Sequence, residues 1–185
     1  MFRRVAAVAL VDFSLKTGQP LFLASERAVD GLWTFPGGGV EAGEFPWITA
    51  VRETRAETGV RVRLDHLIRP QHPTEFEYNG DKYKFWLYLA LLGAGTSEKF
   101  WAREEKKHVG WELVTFSFLK KVAGRGLFPQ ALLPVVLQPG WRDLIEEVAD
   151  DLICTQIVPR EYTSGNITTH LLMGCRRIEL MKKLW

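Results

Sequence analysis

Between residues 38 and 60 the chain reads GGVEAGEFPWITAVRETRAETGV. Few other stretches could constrain a fold so tightly. Pro46 suits the first turn of a helix, where its missing N–H costs nothing. Gly59 accepts the left-handed conformation that ends one. The residues between them contain no glycine or proline, so the spacing predicts a helix that opens at Pro46 and stops before Gly59. Glu53 and Glu57 are four apart and share one face of it. Arg52 lies on a neighbouring face, able to reach back to the loop that holds Glu44. Ala50, Val51 and Thr54 supply the packing side.

Two glutamates at this spacing repel slightly in an isolated helix. A sequence that keeps them either decorates a solvated face or binds a cation. The Gly37-Gly38-Gly39 run upstream, after the apolar Trp33-Thr34-Phe35-Pro36 lead, shifts the balance. Glycines let a backbone approach a ligand closely, and their carbonyls can join a metal shell. Magnesium prefers carboxylate and carbonyl oxygen and keeps waters, so it bridges a protein to a polyphosphate.

Gly38, Glu44, Arg52, Glu53, Glu57, Gly59 and Val60 fall at the fixed positions of G-x5-E-x7-R-E-U-x-E-E-x-G-U, where U is apolar. The segment therefore resembles the Nudix box, a long signature far more specific than a lone glycine motif. The resemblance covers roughly residues 3–120. It implies an α/β fold, the Nudix-type α/β/α sandwich with a mixed sheet. It also implies Mg2+- or Mn2+-dependent cleavage of a phosphoanhydride in a nucleoside diphosphate-linked substrate. Carried over position by position, Glu53, Glu57, Arg52 and Glu44 are the catalytic candidates. Metal would be held by Gly37 or Gly38 carbonyl oxygen, Glu53, Glu57 and a loop glutamate. Glu105, six residues before Trp111, is the choice for that glutamate, and Glu104 is its neighbour. Arg27 and Phe35 are the substrate-contact candidates. Arg52 is expected to orient carboxylates by a forked salt bridge, with Glu44 as its partner.

Two positions depart from the pattern. Thr54 stands where an apolar residue is usual, and its methyl can still pack. Ala56 replaces the first glutamate of the E-E pair, often a metal ligand in the family. Glu53 and Glu57 remain for one or two ions. A binding module with weakened chemistry, keeping affinity for nucleotide or RNA, is therefore the alternative reading.

At 185 residues the chain is long enough for one domain with a sizeable core. A net charge of +2 is too small to imply a nucleic-acid partner by itself. Cys154 and Cys175 show no zinc or C-x-x-C spacing, which fits reduced thiols and a cytoplasmic protein. His66, His72, His108 and His170 show no metal spacing and read as structural. No stretch reaches the ~20 apolar residues of a membrane helix. No G-x-S-x-G or Walker A sequence appears.

Along the chain, Arg4–Phe13, Leu21–Ser25, Val60–Leu64 and Val109–Val114 read as strands. Thr115 is placed to cap a short helix through Leu119. Asn79-Gly80 between Thr74–Tyr78 and Lys82–Leu92 is a hairpin signal. On the second of these strands Lys84, Trp86 and Tyr88 share one face, and Tyr83, Phe85 and Leu87 the other. One face is expected to meet the core and one a cleft. The seven tryptophans are expected mostly in the core. The domain is drawn at 1–123, with a C-terminal helical extension over 124–185 packed on it. Apolar 3-4 spacing places helices near 141–155 and 167–185, where a homodimer contact is conceivable.

Overall fold

β1 (Phe2–Phe13) is the strand around which the sheet is assembled. A computed structural model describes residues 1–13, 19–64, 67–68, 72–92 and 107–136. The helices expected near 141–155 and 167–185, both cysteines, Glu104 and Glu105 lie outside the described residues. The strands are β1, β2 (Pro20–Arg27), β3 (Trp33–Thr34), β4 (Gly37–Gly39), β5 (Thr74–Tyr78), β6 (Asp81–Leu91) and β7 (His108–Thr115). The helices are α1 (Pro46–Thr58), α2 (Phe116–Ala123) and α3 (Leu133–Val136).

The sheet runs β3-β2-β1-β6-β5, with β4 paired to β1 and β7 to β2. The β1–β6 pair is parallel and the others antiparallel, so the sheet is mixed. β6 occupies one edge of β1 from Phe2 to Val11. The other edge is therefore shared. Val11–Phe13 pair with β2, and Val5–Ala7 pair with β4. β2 divides in the same way, between β1 at Pro20–Phe22 and β3 at Ser25–Glu26. The two strands thus part, and residues 33–39 are laced into the opening. The Val8 N–H donates to the Pro36 carbonyl at 2.9 Å within it.

Both faces of the sheet are covered. Ala7, Ala9 and Val11 pack with Phe22, Phe35, Leu119 and Val122. Ala6, Val8 and Leu10 pack with Leu23, Ala50, Tyr88 and Trp111. α2 therefore covers the first face and α1 the second, giving the sandwich. Each fully buried Phe or Leu contributes about 1.5–3 kcal/mol relative to exposure. Phe128, Leu132 and Val136, from the first part of the expected extension, sit in the first cluster.

α1 runs from Pro46 to Thr58, and Gly59 closes it at φ 76°. Its packing side includes Ala50 and Thr54, both fully buried. The buried hydroxyls of Thr54 and Thr58 are satisfied by the carbonyls of Ala50 and Thr54 at 2.7 and 2.6 Å. Thr115 caps α2 by accepting from the Phe118 N–H at 3.2 Å. The Asn79-Gly80 hairpin forms with both residues at positive φ, 50° and 80°.

Two expectations change. Val60–Leu64 is not a strand, despite its alternation. Among the described residues no strand pairs with it, and Val60 and Val62 instead pack, partly buried, against the α1-side core. The reading of β6 as one core face and one cleft face holds only along its first half, where Tyr83 and Phe85 face a cleft and Trp86 packs against the α1-side core. From Leu87 to Ala90 both faces are buried, because Leu87 and Leu89 enter one core cluster and Tyr88 and Ala90 the other. No helix among the described residues is long and apolar enough to cross a membrane.

Candidate active site

A cavity of about 780 Å³ opens where β1 and β2 part. Gly37, Gly38, Glu53, Glu57 and His108 line one end. Phe76, Tyr83 and Phe85 of the hairpin form a wall, and Arg3, Arg4, Arg27 and Lys107 contribute basic groups.

The glycines are required by contact. A Cβ on Gly37 would lie 2.5 Å from both the Ala6 carbonyl oxygen and the Ala7 Cβ. A Cβ on Gly38 would lie 2.8 Å from the Glu53 Cδ. Gly37 can thus press against β1, and Gly38 against the Glu53 side chain as α1 holds it, only without side chains of their own.

The Arg52 corner joins charge to charge. Arg52 Nε and Nη2 donate to Glu44 Oε1 and Oε2 at 3.0 and 2.9 Å, a bidentate fork. Its Nη1 donates to Glu53 Oε1. Thr49 Oγ1 adds a 2.6 Å hydrogen bond to Glu44. The Arg52 guanidinium, then the Thr49 hydroxyl, hold the Glu44 carboxyl down from 4.5 to about 2. The same fork pushes Arg52 up, so it stays charged. Arg52 and Glu44 stand behind Glu53 rather than in the cavity wall.

The Glu57 corner is built differently. Its side chain is 5% exposed, as is that of His108. The Gly37 N–H donates to Glu57 Oε2 at 3.0 Å. Glu57 Oε1 faces His108 Nε2 at 3.3 Å.

His108 is the residue that the sequence pattern missed. Strict alternation along β7 sets it on the α2 side, with Val114. The register against β2 slips between Ser25 and Arg27, because Ser25 pairs with Trp111 and Arg27 with His108. β7 therefore carries one extra residue, a bulge, and the bulge re-aims His108 to the Trp111 side. The two rings are 4.7 Å apart. Nothing in the local composition marks the bulge except Gly110.

Of the other expected residues, Arg27 lines the cavity and pairs with Asp30 at 3.2 Å. Phe35 reaches the cavity but is 2% exposed, clasped by Phe22 and Phe128. It serves mainly as core. The partly exposed aromatics of the cavity are Trp33, Tyr78, Phe85 and Phe76, which stacks on Tyr83 at 5.4 Å. Tyr78 donates to the Gly126 carbonyl, and burial, then the charge of Asp30, push its hydroxyl up.

Among the described residues no three His, Cys, Asp or Glu side chains converge as a ready metal cage. Two carboxylates beside a glycine backbone still fit Mg2+, which binds through one or two carboxylates plus phosphates and waters.

A model of the NUDIX domain family matches residues 1–130. Nudix hydrolase 26, chloroplastic, of Arabidopsis thaliana is 37% identical over 59 residues, 32% of this chain and 26% of that protein. The curated relatives it matches are thus covered over 26% and 29% of their own length. A C. elegans Ap4A hydrolase structure is 18% identical, with a TM-score of 0.50 over 81% of this chain and 97% of that one. A MutT NUDIX hydrolase from Burkholderia pseudomallei is 20% identical, with a TM-score of 0.51 over 63% and 85%. At these identities the two structures establish the fold.

Proposed function

The chain belongs to the Nudix family, and from that membership we propose that it is a divalent-metal-dependent pyrophosphohydrolase. Its substrate on this reading is a nucleoside triphosphate or a dinucleoside polyphosphate. The observation that carries the reading is that Glu53 and Glu57 line one cavity with the backbone of Gly37 and Gly38.

Glu57, a Gly37 or Gly38 carbonyl and Glu53 would hold the ion. When bound, Mg2+ or Mn2+ neutralises phosphate charge and lowers the pKa of a coordinated water. Arg52 would fix the rotamer of Glu53 by holding Oε1, which leaves Oε2 as the oxygen open either to the ion or, if Glu57 and the glycine carbonyl hold the ion, to the proton of the attacking water. Glu44 keeps the Arg52 fork in place. The buried Glu57 corner excludes water from behind the reacting groups. Glu105 lies outside the described residues and remains a proposed contributor from the loop before β7.

The substrate class rests on the distance across the sheet. β4, β1, β6 and β5 are successive neighbours, so Phe76 lies three strand spacings, ~14 Å, across the sheet from the glycine strand, and further along it as well, because Phe76 is level with Arg3 and the glycines with Val5–Ala7. A base stacked on Phe76 and Tyr83 would then reach the glycine end only through several linked phosphates. Arg3, Arg4, Arg27 and Lys107 are the basic residues that line the cavity between the two ends; Arg3 and Arg27 also pair with Asp81 and Asp30, and Arg4 lies over the Trp86 ring. The Ap4A hydrolase likeness is compatible with this length.

The second reading, a nucleotide-binding module with little chemistry, rests on Ala56. A hydrolysis panel of nucleotides with Mg2+ distinguishes the two, using wild type, Glu57→Gln and Ala56→Glu. We expect wild-type turnover and a loss of about two orders of magnitude or more in Glu57→Gln, since the ion contributes several kcal/mol to the barrier. Turnover that survives in Glu57→Gln would remove the box from the mechanism. Tight nucleotide binding without turnover in wild type would establish the module.

A further inference from the structure

We propose that His108 is a positioning residue for Glu57, donating from Nε2 to Oε1 and fixing which lone pairs of the carboxylate face the cavity. The consequence for metal rests on the reading of Glu57 as a ligand; the donor role itself does not.

An ionised carboxylate only accepts hydrogen bonds. If Nε2 were bare, two lone pairs would face each other at 3.3 Å in a buried setting. A proton on Nε2 converts that repulsion into a bond. It leaves Nδ1 as an acceptor, and among the described residues Nδ1 has no hydrogen-bond partner. An orphaned acceptor is the more tolerable of the two, because orphaned buried N–H groups are the rarer kind. Glu57 is then held by two donors from two strands, Gly37 N–H of β4 and His108 of β7.

This matters more here because position 56 is alanine. No second glutamate beside Glu57 can compensate for a misdirected carboxylate. A group that orients a metal ligand typically changes metal affinity by about 10–100-fold when removed. The β7 bulge is what brings the imidazole to this face.

Two measurements test it. In metal-free protein, 15N NMR of the ring nitrogens should show the tautomer with hydrogen on Nε2; hydrogen on Nδ1 with a bare Nε2 overturns the proposal. Mn2+ titration of metal-free protein, followed by electron paramagnetic resonance, should show binding weakened about 10–100-fold in His108→Leu. His108→Gln, whose amide can present N–H in the same place, should recover most of it. Wild-type affinity in His108→Leu overturns the proposal. So does a Gln variant as defective as Leu, which would make the imidazole nitrogen itself a ligand. If His108→Leu does not fold, the Gln variant and the tautomer decide. Wild-type protein that takes up no Mn2+ counts against the hydrolase reading, and the tautomer still decides the donor role.

Discussion

Glu53 and Glu57 sit one turn apart on the same helix face, yet they are held in opposite ways. Glu53 belongs to a partly exposed ion network with Arg52, Glu44 and Glu41. Glu57 is buried and held by a backbone N–H and an imidazole. Charges near solvent are screened, and exposed pairs contribute little to stability. A buried carboxylate depends on each donor it keeps. The difference teaches that the two glutamates should fail differently: disturbing the Arg52 corner should cost chemistry, and disturbing the Glu57 corner should cost both chemistry and folding.

The sharpest way to break that contrast is at the glycines. Gly37→Ala drives a methyl into the β1 backbone and the Ala7 Cβ, neither of which can swing away. We expect a loss of about 1–3 kcal/mol, read by urea unfolding. Gly39→Ala meets nothing within 4 Å and should stay within ~0.5 kcal/mol of wild type. Equal effects at the two positions would remove the packing argument for the Glu57 corner.

Arg52→Lys tests the other corner. It keeps the charge and loses the fork. Turnover should fall by about tenfold or more, while stability changes by less than ~1 kcal/mol. Steady-state rates and a melting curve on one preparation check both. A large stability loss with intact turnover would invert the comparison.

The smallest effect is in the acid limb. Glu44 is held down from 4.5 to about 2, so between those values the unfolded chain binds more protons than the folded one. Its contribution is present in full above pH 4.5 and is lost as pH falls toward 2. Glu44→Gln should flatten that part of the profile, measured as the urea midpoint from pH 5 to 2. An unchanged acid limb would show that the fork contributes no stability.

The legible parts of this chain were those with local causes. Pro46 and Gly59 bound the helix by backbone chemistry, Asn79-Gly80 demanded its turn, and Thr115 capped α2. The Arg52–Glu44 fork was legible because helix periodicity brings Arg52 back over the loop. Val60–Leu64 misled because alternation records burial, and these valines are partly buried beside α1 with no strand to pair with among the described residues. His108 was illegible because its direction depends on one extra residue in β7, a property of the β2 pairing. Phe35 stood out through its place beside the glycines, but the partly exposed aromatics of the cavity are Trp33 and, far along the chain, those of the hairpin.

The lacing of residues 33–39 between β1 and β2 has a dynamic consequence. Arg4 accepts from the Val40 N–H and Pro36 from the Val8 N–H, both at 2.9 Å, on either side of the β4 pairing. The glycine end of the cavity therefore belongs to the central hydrogen-bonded ladder and is not carried on a hinged flap. Breathing of this corner requires the middle of the sheet to unzip, so its amides should exchange with solvent about as slowly as those of β1 itself.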